Sequence, residues 1–186
     1  MSKMSSIEKN DSAKSSDTTE FEINQSSDTT HRAIDSLNEF KAETEQLISE
    51  ASRVIQIYSK DLDPRVLSDT RVESLLLKFI KRSKASKLQL LIFDESYLKG
   101  IDHRLVSLAQ RFTSYVEIRL IPRDYHENYF GYYLVDKKRI VHRNNIERYQ
   151  AEFAQLPNSL VKEKSKWFDD IWQKSTPASF LRALHL

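Results

Sequence analysis

Residues 119–148 hold most of the side chains that could do chemistry. This stretch contains seven Lys or Arg, four Asp or Glu and two His residues, interleaved with five aromatic side chains. Basic side chains can hold a phosphodiester backbone while aromatic rings stack on bases. The same rings would also suit buried strands, which are commonly rich in aromatic residues. The sequence by itself leaves both interpretations open.

Two histidines of this stretch are candidates for phosphate chemistry. His126 follows a predicted strand and lies close to Arg123, so it could act as a nucleophile or contact a phosphate. His142 lies on another predicted strand between Arg139 and Arg143. It either contacts a phosphate or has a purely structural role. The predicted ligand-binding set is therefore Arg123, His126, Arg139, His142 and Arg143, with His126 as the one candidate nucleophile.

Composition excludes several other chemistries. Only two glycines occur, Gly100 and Gly131, whereas a P-loop or a dinucleotide-binding loop needs several close together. The same shortage excludes the nucleophile elbow of the α/β hydrolases. There is no cysteine, and no His or Glu pair has the spacing of a zinc site. The sequence predicts neither a metal nor another cofactor.

The elements that must position the candidate residues alternate between helices and strands. Helical spacing of apolar residues predicts four main helices, over 35–52, 71–82, 98–112 and 160–172. Short apolar or alternating runs predict five strands, over 53–58, 88–93, 116–121, 132–136 and 139–142. This order predicts an α/β fold, with a mostly parallel sheet covered by helices on both faces.

Three finer features follow from turn and capping residues. Thr70 and Glu73 have the spacing of a capping box at the start of the second helix. The pair Lys137-Lys138 is expected to form a tight turn between the last two strands. Thr176-Pro177 is expected to begin a last short helix with its apolar side at Phe180, Leu181 and Leu184.

Ligands of parallel sheets bind beyond the carboxyl ends of the strands. Those ends carry Lys60 after the first predicted strand, Asp94 after the second, and Arg123 and His126 after the third. We therefore expect these side chains to lie at one edge of the sheet.

The N-terminal residues differ in composition from the rest. The first thirty contain twelve Ser or Thr, and Ser-Ser-Asp-Thr-Thr occurs at both 15–19 and 26–30. Such a segment cannot bury enough apolar surface to fold, so residues 1–33 are predicted to be a disordered tail before a domain at 34–186. The repeat is either a modification or docking element or the drift of a biased segment. No signal peptide or membrane span is apparent, which predicts a soluble cytoplasmic protein.

From residue 36 to 150, the order of elements resembles the phospholipase D superfamily. The last strand of the match ends in Leu-Val-Asp at 134–136, where that family carries His-x-Lys-x-x-x-x-Asp. The resemblance implies a histidine that forms a phosphoenzyme, a lysine that binds phosphate and an aspartate that supports the site. If Asp136 is that aspartate, Tyr129 and Gly131 stand at the histidine and lysine positions. If His126 is that histidine, Asn128 and Tyr133 stand at the other two.

Neither alignment restores the motif, so the resemblance is to a degenerate, single-copy phospholipase D-like domain. The chain is also similar to uncharacterised bacterial proteins with such a domain, some of them fused to acetyltransferase domains. The sequence predicts a non-catalytic binding or regulatory module whose degenerate pocket holds a phosphate-containing ligand or nucleic acid.

Two alternatives stay open. One is a divergent phosphodiesterase or nuclease that uses His126, with a homodimer supplying the second half of the site. The other is a protein-interaction domain that docks through the aromatic C-terminal helix at Trp167, Phe168 and Trp172.

Overall fold

The computed structural model describes residues 31–98 and 102–179, which contain eight strands and five α-helices. The strands are β1 (His31–Ile34), β2 (Val54–Tyr58), β3 (Lys87–Ile92), β4 (Val116–Leu120), β5 (Gly131–Val135), β6 (Arg139–Arg143), β7 (Ala151–Gln155) and β8 (Thr176–Pro177). The helices are α1 (Leu37–Ser49), α2 (Pro64–Leu67), α3 (Thr70–Arg82), α4 (Arg104–Arg111) and α5 (Ser159–Lys174).

Side-chain caps set the starts of the four longer helices. Ser36, Asp69 and Asn158 each accept a hydrogen bond from a backbone N–H in the first turn of α1, α3 and α5. The cap of α3 is thus Asp69, one residue before the Thr70 of the predicted capping box. His103 caps α4 through its ring nitrogen, so this helix begins well after the predicted residue 98.

The eight strands form one mixed sheet in the order β1-β7-β6-β5-β2-β3-β4-β8. Among the described strands, β3 pairs in parallel with β2 and β4, and the other five neighbouring pairs are antiparallel. The prediction of a mostly parallel sheet is therefore wrong. The helix–strand alternation stops after β4, and the short connections of β5, β6 and β7 can join only antiparallel strands.

The turn between β5 and β6 is centred on Asp136 and Lys137, one residue earlier than predicted. Both have positive φ values, 52° and 56°. The N–H of Lys138 donates to the carbonyl of Val135 across the turn, at 3.0 Å. Positive φ at both central residues is the geometry that matches the twist of a two-residue hairpin.

Helices pack on both faces of this sheet. Buried residues of α1, α3 and α4 form a large core on the first face. On the second face, α5 packs over β5, β6 and β7 with Val161, Phe168 and Ile171 fully buried. Residues on opposite faces of one strand therefore enter different cores.

The two ends of the described chain differ from the expected elements. Residues 31–33, which the sequence assigns to the tail, belong to β1 and pair with β7. Thr176–Pro177 pairs with β4 as a short strand, where a helix start was expected. Residues 1–30 of the predicted tail, and Phe180, Leu181 and Leu184 of the predicted last helix, lie outside the described residues. Within the described residues, no helix has the length and apolar character needed to cross a membrane.

Candidate functional site

One edge of the sheet gathers the ends of several strands. We call it the carboxyl edge, because β2, β3 and β4 end there at Tyr58, Ile92 and Leu120. Since β5 runs antiparallel to β2 and β6 to β5, Gly131 and Arg143 reach the same edge. Loops that follow these strands therefore meet above it.

Two adjoining cavities open along the carboxyl edge, and both are lined by Phe93, Asp94 and His126. The first has a volume of about 270 Å³ and the second about 340 Å³. We call the two together the edge groove. The first is further lined by Lys60, Tyr97, Tyr129 and Ile146. The second is further lined by Glu95, Leu120, Ile121, Pro122, Arg123, Lys174 and Thr176.

His126 lies where the two cavities meet. Its ring stacks on Phe93, with centroids 5.0 Å apart and planes 7° from parallel. Its Nε2 lies 3.0 Å from the carbonyl oxygen of Ile121. A carbonyl can only accept, so Nε2 carries the proton and Nδ1 holds the lone pair of the neutral ring. The histidine is thus fixed in orientation, with Nδ1 as its available nitrogen.

The cations of the groove differ in how they are engaged. The Nζ of Lys60 lies 3.1 Å from Glu147, and this hydrogen bond is the main cause of a raised Lys60 pKa. The pKa of Lys174 is raised through a 2.7 Å hydrogen bond to the Tyr125 hydroxyl. The exposed Arg123 side chain has no hydrogen bond or ion pair with any residue that the structure describes. Arg123 is therefore the groove cation whose side-chain donors are all free of the described residues.

The positions that the resemblance assigns to the catalytic pair hold different groups. Tyr129 is 70% exposed at the mouth of the groove. A Cβ built on Gly131 would lie 3.3 Å from the carbonyl oxygen of Tyr58 and 3.7 Å from Cδ1 of Ile146. A side chain at position 131 would thus begin in tight contact with the Tyr58 carbonyl and in ordinary van der Waals contact with Ile146.

Asp136 lies at the opposite edge of the sheet, where its carboxylate organises the backbone. It accepts hydrogen bonds from the N–H groups of Ser52, Arg53 and Val54 and from the Ser52 hydroxyl, at 2.7–2.9 Å. Burial raises the pKa of Asp136, but these bonds outweigh that effect and the net pKa is lowered. The side chain joins the start of β2 to the β5–β6 turn.

Arg143, one of the predicted ligand-binding residues, is 3% exposed and forms a buried ion pair. Its Nη1 lies 2.9 Å from Asp63, whose carboxylate also accepts from the Tyr149 hydroxyl at 3.0 Å. The guanidinium lies over the rings of Phe40 and Tyr149, at 4.8 and 5.3 Å from their centroids. The structure therefore places Arg143 in the packing of the first face, beside a separate cavity of about 160 Å³.

His142 and Arg139 also lie away from the groove. His142 is buried on the second face, with Nδ1 3.2 Å from Glu152. Burial, with the nearby Lys164 ammonium, lowers its pKa. Arg139 lies at the other end of β6, where it forms an ion pair with Glu50. Of the five predicted residues, the structure thus brings only Arg123 and His126 together.

Other residues of the groove were missed as site residues. Lys60 and Asp94 could be placed at this edge because each follows a strand. Tyr129 was considered only for its place in the family motif. Lys174 is the last residue of α5, and no local pattern in the sequence indicates that this end of the helix lies beside the groove. Within residues 31–98 and 102–179, no three His, Asp or Glu side chains cluster in a way that could hold a metal ion.

Comparisons with known proteins identify a family and a shared fold. A family model described as "Domain of unknown function (DUF7931)" matches residues 36–184. No curated protein matches the sequence. Among solved structures, TrmBL2, an archaeal chromatin protein described with a novel mode of DNA binding, is similar with a TM-score of 0.58 and 12% identity. The similarity covers 80% of this chain and 54% of TrmBL2, so it spans about half of that protein.

Two phospholipase D-like structures are similar over nearly their whole length. The phospholipase D family member Nuc from Salmonella typhimurium has a TM-score of 0.56 and 11% identity, covering 80% of this chain and 97% of Nuc. NucT from Helicobacter pylori has a TM-score of 0.54 and 11% identity, covering 80% of this chain and 98% of NucT. At these identities the likeness shows the fold alone.

Proposed function

The chain belongs to the DUF7931 family, and we propose that it is a non-catalytic module that binds a phosphate-containing ligand in the edge groove. The observation that carries the proposal is the position of His126. Its ring is stacked on Phe93 between two cavities, with the unpartnered Arg123 beside it and the exposed Tyr129 at the groove mouth.

Groups for covalent phosphoryl transfer are not assembled in the groove. A phosphoenzyme mechanism needs a free nucleophilic nitrogen and a cation to stabilise charge on the phosphoryl oxygens. His126 leaves Nδ1 available, but the position of the family lysine is Gly131, so no lysine at that position can stabilise charge on the phosphoryl oxygens. These contacts support binding without turnover.

Phosphate and base can be bound by different parts of the groove. The Arg123 guanidinium can donate to phosphate oxygens with two parallel hydrogen bonds. The exposed rings of Tyr97 and Tyr129 can stack on bases. These features support a nucleotide or a single-stranded nucleic acid as the ligand, and the DNA binding described for TrmBL2 is in keeping with that class.

A divergent phosphodiesterase is the second candidate, favoured by one observation. The Nδ1 of His126 holds the lone pair of the neutral ring, at a position that lines both cavities. In that case Nδ1 attacks the phosphorus and one P–O ester bond breaks. The half-site of a second copy of the chain protonates the leaving oxygen, which departs as an alcohol, and water then hydrolyses the N–P bond. The protein-interaction alternative has less support, because Phe168 is buried and Trp167 and Trp172 pack into the same core.

The proposal is tested by binding of the full chain to short single-stranded DNA, mononucleotides and inorganic phosphate at low salt. We expect Arg123→Ala to weaken binding roughly tenfold, since a charge-assisted hydrogen bond contributes about 1.5–3 kcal/mol. Lys78→Ala, which removes an exposed cation of α3 outside the groove, is the matched control and should leave binding unchanged. Equal loss in both variants, or no binding by the wild type, would refute a ligand site in the groove.

Turnover of a generic phosphodiester separates the two candidates. We expect none from the wild type. Hydrolysis that disappears in His126→Ala would reject the non-catalytic proposal and establish the phosphodiesterase.

A further inference from the structure

The edge of the sheet opposite the groove is strongly basic. We call it the amino edge, because β2, β3 and β4 begin there. Its loops and helix ends carry eight exposed cationic side chains. They are Arg53, Lys81, Arg82, Lys84, Lys87, Arg111, Lys137 and Lys138.

Hydrogen bonds join several of the segments that carry these residues. The N–H of Lys87 donates to the carbonyl of Arg53 at 2.9 Å, which joins the starts of β2 and β3. The Nζ of Lys87 donates to the carbonyl of Ser114 at 2.8 Å, close to Arg111 at the end of α4. On the other side, Asp136 binds the N–H of Arg53 and brings the β5–β6 turn alongside.

Carboxylates along this edge are already engaged. Asp136 accepts four hydrogen bonds from residues 52–54. Glu50 pairs with Arg139, and Asp169 pairs with Lys137. Among the residues that the structure describes, seven exposed cations therefore have no carboxylate partner. These are Arg53, Lys81, Arg82, Lys84, Lys87, Arg111 and Lys138.

Helix dipoles explain only part of this cluster. Lys81 and Arg82 lie in the last turn of α3, and Arg111 in the last turn of α4, where a cation is favoured. The remaining four lie in strand starts and turns, outside any helix: Arg53, Lys84, Lys87 and Lys138. Their accumulation without opposing charge costs folding energy through repulsion, and a bound polyanion would remove that cost.

We infer that the amino edge binds the phosphate backbone of duplex nucleic acid, without regard to base sequence. From β6 to β4 the edge spans four strand spacings, about 19 Å at about 4.8 Å each. A DNA duplex carries roughly eleven phosphate charges over that length, at one per about 1.7 Å. The exposed aromatic rings of the described residues, Tyr97 and Tyr129, lie at the groove instead. Backbone contact to a duplex therefore suits this edge better than base stacking on a single strand.

The test measures binding of the full chain to a short fluorescent duplex between about 50 mM and 200 mM salt. We expect the double variant Lys84→Gln/Lys138→Gln to weaken binding roughly tenfold or more at the lower salt, and to reduce the salt slope by about two. Neither exposed side chain forms a hydrogen bond, ion pair or ring contact with another described residue, so the substitutions should not alter folding. The matched control is Lys162→Gln/Lys166→Gln, two exposed cations of α5 that change net charge equally.

Several outcomes decide the inference. Unchanged affinity in the Lys162/Lys166 control, and equal affinity for duplexes of different sequence, would support it. The same loss in that control would show a net-charge effect and overturn the inference, as would no duplex binding at low salt. Binding to anionic phosphatidylserine vesicles but not to duplex would overturn it in favour of a membrane surface. The Lys84→Gln/Lys138→Gln variant should leave binding of inorganic phosphate at the groove unchanged, so failure at the groove and failure at the amino edge are distinguishable.

Discussion

His103 and His142 are both buried, and burial is the main reason that the pKa of each is lowered. In His103, Nδ1 accepts from the N–H of Leu105 at 3.2 Å, so Nε2 carries the proton towards the Leu62 carbonyl at 3.3 Å. Protonation of Nδ1 would remove the acceptor that caps α4. The charged form is therefore disfavoured by the fold as well as by desolvation.

We predict that His103→Asn makes the protein less sensitive to acid. A depressed folded pKa means that the unfolded chain takes up a proton first. The neutral His103 ring thus makes its full contribution to the free energy of unfolding above the unfolded pKa of 6.5. This contribution is lost as the pH falls from there to the folded pKa. Asparagine keeps a capping acceptor and does not titrate.

The measurement is urea denaturation at about pH 7 and about pH 5. We expect the variant to be about 1–2 kcal/mol less stable at the higher pH, because packing is lost. Its further loss on acidification should be smaller than that of the wild type. An identical loss in both proteins would contradict the role given to His103.

At the scale of elements, α5 covers the second face of the sheet. Phe168 is fully buried there, stacked on Trp172 at 5.7 Å and edge-on to Tyr132 at 6.4 Å. Trp172 also lies 4.3 Å below the guanidinium of Arg119. The aromatic residues that suggested a docking helix therefore attach α5 to its own sheet.

Phe168→Ala should lower the free energy of unfolding by about 3–5 kcal/mol, since it removes a buried ring and leaves a cavity. Lys166→Ala, at an exposed position of the same helix, should change it by less than about 0.5 kcal/mol. Trp167 and Trp172 report unfolding by fluorescence in denaturant. A small effect of Phe168→Ala would mean that α5 contributes little to the core.

At the scale of the whole molecule, the sheet is most protected at its centre. β5, β2 and β3 are flanked on both sides by strands and covered by buried residues of both cores. β1 and β8 are the two edges, and β8 pairs through only two residues. Stability should therefore decrease from the centre of the sheet towards its edges.

Amide hydrogen exchange followed by mass spectrometry tests this order. We predict the slowest exchange in peptides from β2, β3 and β5 and the fastest among the strands in β8, followed by β1. Edge amides open with little loss of packing, whereas central amides require global unfolding. Exchange of β1 as slow as that of β3 would show that something further covers this edge.

The amino-acid sequence by itself determined the elements whose signal is local. β2 and β4 lie where alternating or β-branched residues predicted strands, and α3 lies where an apolar face of helical period begins. Arg123 and His126 could be placed beyond β4 for the same reason, because a strand end follows from its own pattern. Three of the five predicted residues lie away from the groove, and for Arg139 the reason is visible in the sequence. Arg139 and Arg143 are four residues apart on one strand, about 13 Å at about 3.3 Å per residue.

Tertiary structure alone decided which strands pair and which distant residues meet. β1 and β7 are short, and they pair antiparallel across more than a hundred residues of chain, so no local pattern marks them. The mostly antiparallel sheet follows from those pairings. The same holds for the groove, where Lys174 and Ile146 join His126 from separate segments. Local sequence sets the period of each element, but contacts between distant segments depend on the packing of the whole chain.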